Sequence, residues 1–319
     1  MVLIVFTLVV SALLATSAQA IDLKTTPLGI AAAAMQPGEI KQYPNDSFLV
    51  DVPWDDPRLF YYGDGAAWNA ANACIEFVPS PTGGTPRYLL QYCLGTDKWS
   101  AERTPEWDNG HGYDSAATDP NGDLYFARYG GPVMRYQHTT KTWSQLPDLP
   151  WQAGSVQSLT WFPRKGLVIA SANGRVALWD GTHWLDIAGA HAWGLTGAWS
   201  TLVGDAVYMG AYESKLASSV YKLDSTLTLT RMPAPPIVVG NAKSYQTTDG
   251  KDLLVAQANG AAWFRFDGTT WSEGPFPASG AIVDKHQYYV TYIAPLDIIV
   301  TMGTRASIHE MWIIKTHSN

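Results

Sequence analysis

Residues 124–147 read LYFARYGGPVMRYQHTTKTWSQLP. The stretch holds an apolar run, a Gly-Gly turn, a second apolar run, a polar turn and then Trp143. Short runs rich in aromatic and β-branched residues, bounded by turn residues, predict antiparallel strands. The end of this pattern recurs at intervals of 41 to 45 residues, at Trp99, Trp143, Trp184, Leu229 and Trp271. An indole buries a large apolar area, so we expect the Trp side chains to pack between neighbouring repeats.

A second marker of the repeat is an apolar run that precedes the Trp position. It occurs six times, at Cys74–Val78, Leu124–Tyr129, Leu167–Ala170, Ala206–Met209, Leu253–Ala256 and Ile298–Thr301. About four short strands in roughly 40–50 residues is the size of one propeller blade. The sequence therefore predicts an all-β, six-bladed β-propeller, with blades at 47–103, 104–147, 148–187, 188–232, 233–274 and 275–319.

The last predicted blade is too short for four strands, because little chain remains after its third strand. Residues 38–44, GEIKQYP, resemble residues 141–147, KTWSQLP, which hold the outer strand of the second blade. We therefore expect the N-terminal segment to supply the missing strand. This arrangement closes the ring and leaves no long unpaired edge between its two ends.

The repeats resemble kelch repeats, as found in the galactose oxidase-like propeller superfamily. The resemblance is clearest in the second blade, where Gly130-Gly131, Tyr136 and Trp143 follow the family pattern. The other blades depart from it, with Asn-Gly or a single Gly in place of the doublet. Galactose oxidase holds copper through Tyr and His ligands and carries a Cys–Tyr crosslink. Its ligands cannot be placed on this chain by motif, so copper oxidase activity is disfavoured and no cofactor or metal is predicted.

The N-terminus predicts export. Residues 1–20 form a short apolar run that ends in Ala18-Gln19-Ala20, a small-x-small cleavage signal. We expect cleavage after Ala20, a linker at 21–34, and a single propeller domain at 35–319, secreted or periplasmic. The alternative is an uncleaved anchor, since no Lys or Arg precedes the apolar run. No later segment is long and apolar enough to predict a membrane span.

Composition excludes several classes of protein. Aromatic residues make up 12% of the chain, which argues against disorder, and two cysteines are too few for a disulfide-dense mini-domain. The net charge of −7 and the absence of a basic block argue against nucleic-acid binding. Cys74 and Cys93 flank a turn-rich stretch around Gly83-Gly84, so a hairpin centred there predicts a disulfide. Two free thiols and a shifted register remain alternatives.

Candidate ligand-binding residues lie in the predicted connections from the outer strand of one blade to the inner strand of the next. These connections meet at one end of a propeller channel, where aromatic rings and short polar side chains are typical of sugar binding. The candidates are Trp54, Asp55, Trp107, His111, Tyr113, Asp114, Trp151, His191 and Trp193. The alternative is that each is an ordinary loop residue. Asp119–Asp123 is interpreted as a β-turn, because it lacks the ligand spacing of a calcium loop.

We therefore predict a secreted, monomeric binding module with a carbohydrate ligand at the channel mouth. Two alternatives remain open. One is a polysaccharide-active hydrolase or lyase, which needs an acid or base among the loop carboxylates and histidines. The other is a protein–protein interaction scaffold, since propellers serve all three roles.

Overall fold

The computed structural model describes residues 21–44, 65–79, 88–105, 115–128, 131–151, 157–171, 174–187, 196–214, 217–237, 244–257, 262–274, 289–302 and 311–317. The predicted leader at 1–20 lies outside them. Within them, no helix is long and apolar enough to cross a membrane.

In these ranges, twenty-four strands form six antiparallel sheets of four. The strands are β1 (Ile40–Tyr43), β2 (Ala67–Asn69), β3 (Cys74–Phe77), β4 (Tyr88–Cys93), β5 (Lys98–Arg103), β6 (Ala116–Thr118), β7 (Leu124–Ala127), β8 (Val133–Gln137), β9 (Thr142–Gln145), β10 (Gln157–Phe162), β11 (Gly166–Ser171), β12 (Val176–Trp179), β13 (Trp184–Asp186), β14 (Thr196–Val203), β15 (Ala206–Ser214), β16 (Ala217–Leu223), β17 (Leu229–Arg231), β18 (Ser244–Thr248), β19 (Leu253–Gln257), β20 (Trp263–Phe266), β21 (Trp271–Glu273), β22 (Tyr289–Ile293), β23 (Ile298–Met302) and β24 (Met311–Lys315).

The sheets are the six blades of a β-propeller. Blades 1 to 5 are β2–β5, β6–β9, β10–β13, β14–β17 and β18–β21, each in simple sequential order. Each innermost strand, the first of its blade, contacts the innermost strands of both neighbouring blades, and β22 contacts β2. The inner strands therefore form a closed ring. This confirms the predicted all-β architecture and the number of blades.

Blade 6 is completed by the N-terminal strand, as predicted. Its order is β22-β23-β24-β1, and β1 pairs antiparallel with β24 from Ile40 opposite Ile314 to Tyr43 opposite Met311. The phenol of Tyr43 donates to Asp97 of blade 1 over 2.9 Å. The two ends of the chain are thus joined within one sheet, and that sheet is tied to the next blade.

The meander gives the ring two distinct ends. We define the upper end as the one where the innermost strands begin and the outermost strands end. At the lower end, the first strand of each blade turns into the second and the third turns into the fourth. All connections at the lower end of blades 1 to 5 belong to the described residues.

The repeated Trp residues pack between blades and tie them together, as predicted. Trp184 of blade 3 donates its indole N–H to the carbonyl of Pro147 after blade 2 over 2.9 Å. Trp271 of blade 5 makes the equivalent 3.0 Å bond to Pro233 after blade 4. Leu229 occupies the same register position in blade 4, opposite the last residue of the third strand.

Residues 21–34 differ from the expected linker. Pro27–Ala33 form helix α1, preceded by a 3₁₀ turn at Leu23–Thr25. Thr26 caps α1 by accepting a hydrogen bond from the Gly29 N–H over 3.1 Å. Leu28 and Ala32 are buried in an apolar cluster formed with blades 1 and 6. The segment is therefore part of the folded body, because its apolar face has a partner that local sequence does not show.

The predicted disulfide is present. Cys74 and Cys93 lie directly opposite each other in β3 and β4 and are bonded, with Cα atoms 4.1 Å apart. The Leu94 N–H donates to the Ala73 carbonyl, which makes the cysteines a non-hydrogen-bonded pair. Side chains approach most closely in such pairs. The hairpin register alone therefore brings the two sulfur atoms together.

Candidate functional site

The innermost strands of the six blades enclose a central channel. It has a volume of about 270 Å³ and is lined by all six innermost strands. Its walls hold seven hydroxyl side chains, those of Thr118, Thr160, Ser200, Thr201, Thr247, Thr248 and Thr291. They also hold the aromatic rings of Trp68, Trp161 and Tyr292.

Strand register divides the lining into levels along the channel. In each blade, one residue of the innermost strand pairs with the second residue of the next strand of the same blade. These residues are Trp68, Ala117, Trp161, Leu202, Thr247 and Tyr292. These form the lower level, which carries the three aromatic rings. One residue higher lie Ala67, Ala116, Thr160, Thr201 and Thr291. The aromatic rings are therefore confined to the lower level, whereas hydroxyl side chains line the channel above it and, at Thr118 and Thr248, below it.

Some of the channel hydroxyls are used between or within blades. Thr160 of blade 3 donates to Ser200 of blade 4 over 2.7 Å. Thr118 of blade 2 donates to the Trp68 carbonyl of blade 1 over 2.9 Å. A hydroxyl both donates and accepts, so a bonded Ser or Thr keeps capacity for a further partner. The wall can therefore exchange hydrogen bonds with a hydroxylated ligand without losing the bonds that hold the blades.

The described lining carries no Asp, Glu, Lys, Arg or His side chain. Its one ionisable group is the phenol of Tyr292, which donates to Asp297 over 3.1 Å. Burial, with the neighbouring Asp297 carboxylate, raises the pKa of Tyr292 to about 12. Asp297 itself has a lowered pKa, because hydrogen bonds from Thr316, Tyr292 and the His317 N–H outweigh its burial. The phenol is therefore neutral across the physiological range.

Carboxylates at the lower end belong to paired turn networks. Asp123 accepts hydrogen bonds from Arg135, and Asp252 does the same from Arg265. Asp119 accepts from the Asn121 and Asp123 N–H groups at 2.9 Å each, so 119–123 is the predicted turn. Among the described residues, no group of His, Cys, Asp and Glu has the arrangement of a metal site.

Of the predicted ligand-binding residues, only Trp151 lies in the described ranges. It is 8% exposed and packs in the apolar cluster between blades 2 and 3. The Arg175 guanidinium lies over its ring, 5.1 Å from the centroid. The other candidates, Trp54, Asp55, Trp107, His111, Tyr113, Asp114, His191 and Trp193, lie outside the described residues, and their roles remain predictions.

Sequence reasoning missed the channel hydroxyls. The signal was present, because a Ser or Thr stands shortly before the second strand in most repeats, as in AAT (116–118), LTW (159–161) and VTY (290–292). Such residues are common in any strand and turn. Only the ring geometry shows that they face one shared space.

The comparisons with known proteins support the fold. No protein-family model matches the chain, and no curated protein sequence matches it. The solved structure of YjhT is 13% identical, with a TM-score of 0.56 over 81% of this chain and 93% of that chain. A fungal alcohol oxidase of the AA5 family, solved with copper, is 11% identical, with a TM-score of 0.51 over 79% of this chain and 62% of that one. YCF48 bound to D1 peptide is 14% identical, with a TM-score of 0.50 over 88% and 98%.

At these identities the likeness extends to the fold alone. The class defined by the fold is the six-bladed β-propeller, and its similar structures include one from the AA5 group. The kelch-type repeat stays a prediction from the sequence pattern.

Proposed function

We propose that this chain is a secreted, kelch-type propeller that binds a neutral carbohydrate within its central channel, entering through the mouth at its upper end. The observation that carries the proposal is the chemistry of the channel wall, which combines hydroxyl groups with aromatic rings. Aromatic faces pack on the C–H groups of a sugar, and short polar groups take its hydroxyls.

The size of the channel favours a small ligand group. Pockets that hold drug-sized molecules span about 300–1,000 Å³, and the channel measures about 270 Å³. The space therefore suits one sugar ring or the end of a chain better than a long segment. The uncharged described lining disfavours a phosphorylated or otherwise ionic ligand, since a buried charge without a partner is costly.

Two independent features support the proposed compartment. The apolar leader at 1–20 predicts export. The bonded pair Cys74–Cys93 is typical of proteins outside the reducing cytoplasm. Both support an oxidising compartment for the proposed binding module.

The described channel favours binding over catalysis. Sugar hydrolysis or elimination requires a positioned acid or base, and the described wall offers only the Tyr292 phenol, whose pKa is raised to about 12. An enzyme would need the loop residues His111, Asp114 or His191, which lie outside the described residues. Turnover lost in a His111→Ala variant with unchanged sugar affinity would support the enzymatic alternative.

The test is a glycan-array screen of residues 21–319, followed by titration calorimetry with the neutral sugars that bind. The channel variant is Thr201→Val/Thr291→Val, which keeps side-chain shape and removes two hydroxyls. Each net hydrogen bond contributes about 1 kcal/mol, so we expect about a tenfold or greater loss of affinity. The matched control is Thr230→Val on the exposed outer strand β17.

A second variant, His111→Ala/Trp193→Ala, tests the predicted loops separately from the channel. Loss of binding in both variants supports a site that continues from the channel into the loops. An array on which the wild type binds no neutral glycan refutes the carbohydrate proposal. The interaction-scaffold alternative then takes its place.

A further inference from the structure

A buried amide without partners stands beside the channel. Gln157 begins β10, the innermost strand of blade 3, and is 2% exposed. Within the described part of the chain, neither its Nε2 nor its Oε1 has a hydrogen-bond partner. Leaving a buried polar group unsatisfied costs about 1–3 kcal/mol. The carboxamide of Gln157 therefore does not stabilise the fold, and its presence at this position needs another explanation.

Two other interior amides among the described residues are paired. Asn69 is fully buried and donates to Glu76 and to the Gly122 carbonyl, and its own oxygen accepts from the Asn72 N–H. The Nε2 of Gln91 donates to Glu76 over 3.0 Å. The fold satisfies these interior amides, so the state of Gln157 is specific to its place.

Two further polar groups at the same end of blades 2 and 3 share this state. Ser115 is 2% exposed and its Oγ has no partner among the described residues. The indole Nε1 of Trp151 also has no partner among the described residues. Ser115 directly precedes β6, the innermost strand of blade 2, while Trp151 lies in the connection that leads to β10.

Comparison of the blades explains why Ser115 is unpaired. The corresponding residue of blade 4 is Ser200, which accepts from Thr160 of the preceding blade. The register of blade 1 places Ala67 at the position of that threonine. The hydroxyl partner is therefore missing at the junction of blades 1 and 2, and the Ser115 hydroxyl is left for another group.

These groups lie next to the channel wall. Two neighbours of these groups line the channel. They are Ala116, which follows Ser115, and Leu159, which lies two residues after Gln157. Two residues of strand span about 7 Å, so Gln157 lies about that distance from Leu159, beyond the upper side of the described channel lining. The nearby cation Arg175 packs on Trp151 and pairs with Asp186 over 2.6 Å. The described surroundings therefore hold polar groups with no free charge.

We propose that Gln157 and Trp151 form the polar wall of a subsite at the upper end of the channel, between blades 2 and 3, for a neutral polyhydroxylated ligand. Gln157 is the specificity-determining residue. Its carboxamide presents one acceptor and one paired donor group, which match two adjacent hydroxyls of a sugar, one donating to Oε1 and the other accepting from Nε2. This inference rests on the proposed carbohydrate function and names the residues that read the sugar.

The test is Gln157→Met, which keeps the side-chain length and removes both polar atoms. A subsite residue predicts two opposite effects. The melting temperature rises, because unsatisfied buried groups are removed. The affinity falls by about 10- to 100-fold, because two ligand hydrogen bonds are lost. The probes are glucose, galactose, mannose, maltose, cellobiose and lactose, titrated into residues 21–319 by calorimetry.

The matched control is Gln91→Met. Its amide is paired with Glu76, so we expect a lower melting temperature and unchanged affinity. Ser115→Ala is a second control: its hydroxyl lies at the junction of blades 1 and 2, so we expect unchanged affinity without loss of stability.

The outcomes separate this inference from the proposed function. If Thr201→Val/Thr291→Val weakens sugar binding and Gln157→Met leaves it unchanged, the proposed subsite is refuted and the proposed function stands. A lower melting temperature for Gln157→Met, as for the control, shows a structural amide and also overturns it. A wild type that binds none of the six sugars refutes the sugar ligand for channel and subsite together.

Discussion

The disulfide of blade 1 should supply a measurable part of the stability of the whole ring. Cys74 and Cys93 are 19 residues apart and close a hairpin loop of about that length. The loop-entropy relation gives about 3 kcal/mol for a loop of about 20 residues. We therefore expect the Cys74→Ala/Cys93→Ala variant to lose about 3 kcal/mol of unfolding free energy. For a large domain, at about 2 °C per kcal/mol, this lowers the melting temperature by about 6 °C.

The assay is equilibrium urea unfolding followed by Trp fluorescence, with and without a thiol reductant. Reduced wild type keeps both sulfur atoms and so separates the loss of the crosslink from the loss of packing around Cys74, which is 3% exposed. Reductant should destabilise the wild type and leave the variant unchanged. A loss below about 1 kcal/mol at an unchanged denaturant slope would refute the entropic reasoning, since the slope reports whether the unfolded state has changed.

Three further predictions concern the ring closure, the ties between blades and the turns. Tyr43→Phe removes the bond to Asp97 and should cost about 1 kcal/mol in urea unfolding. Trp271→Phe keeps the aromatic packing, loses the indole bond to Pro233 and should cost a similar amount, about 1 kcal/mol, in the same assay. Backbone N–H groups at the turn that follows Asp267 lower its pKa below 3.8. Its contribution is therefore complete above pH 3.8 and is lost as the pH falls through the lower folded pKa, so Asp267→Ala should flatten the acid side of a stability–pH profile.

Each of these has a contrary result. Equal stability of Tyr43→Phe and wild type would show that the contact between β1 and blade 1 contributes nothing to closure. An unchanged Trp271→Phe variant would reduce the inter-blade indole bonds to packing alone. An acid limb of the same steepness in Asp267→Ala would place the acid sensitivity in other carboxylates.

The fold was largely predictable because its signals are local and repeated. The apolar strand run recurs six times and the Trp position five times. A weak match in one blade is therefore offset by clear matches in the others. The missing strand of blade 6 followed from the length of chain left at the C-terminus, and β1 fills it. The pairing of Cys74 with Cys93 followed from the centre of one hairpin. Each of these depends on residues close in sequence or on a simple count.

The segment 21–34 shows where local reasoning stops. Its small apolar residues resemble a linker, and α1 is only seven residues long. A helix of this length is not stable alone in water. Leu28 and Ala32 become buried because blades 1 and 6 provide the apolar surface. That surface exists only after the ring has closed.

The candidate site divides in the same way. The sequence by itself determined six blades, their closure, the disulfide and the candidate aromatic residues of the predicted loops, because these depend on strand period, spacing and turn chemistry. Only the tertiary structure decided that Thr160, Ser200 and Thr291 line one channel and that Gln157 is buried with no hydrogen-bond partner among the described residues. The physical reason is that both properties depend on residues about 40 or more positions apart in the chain. These residues lie close together only in the closed ring of blades.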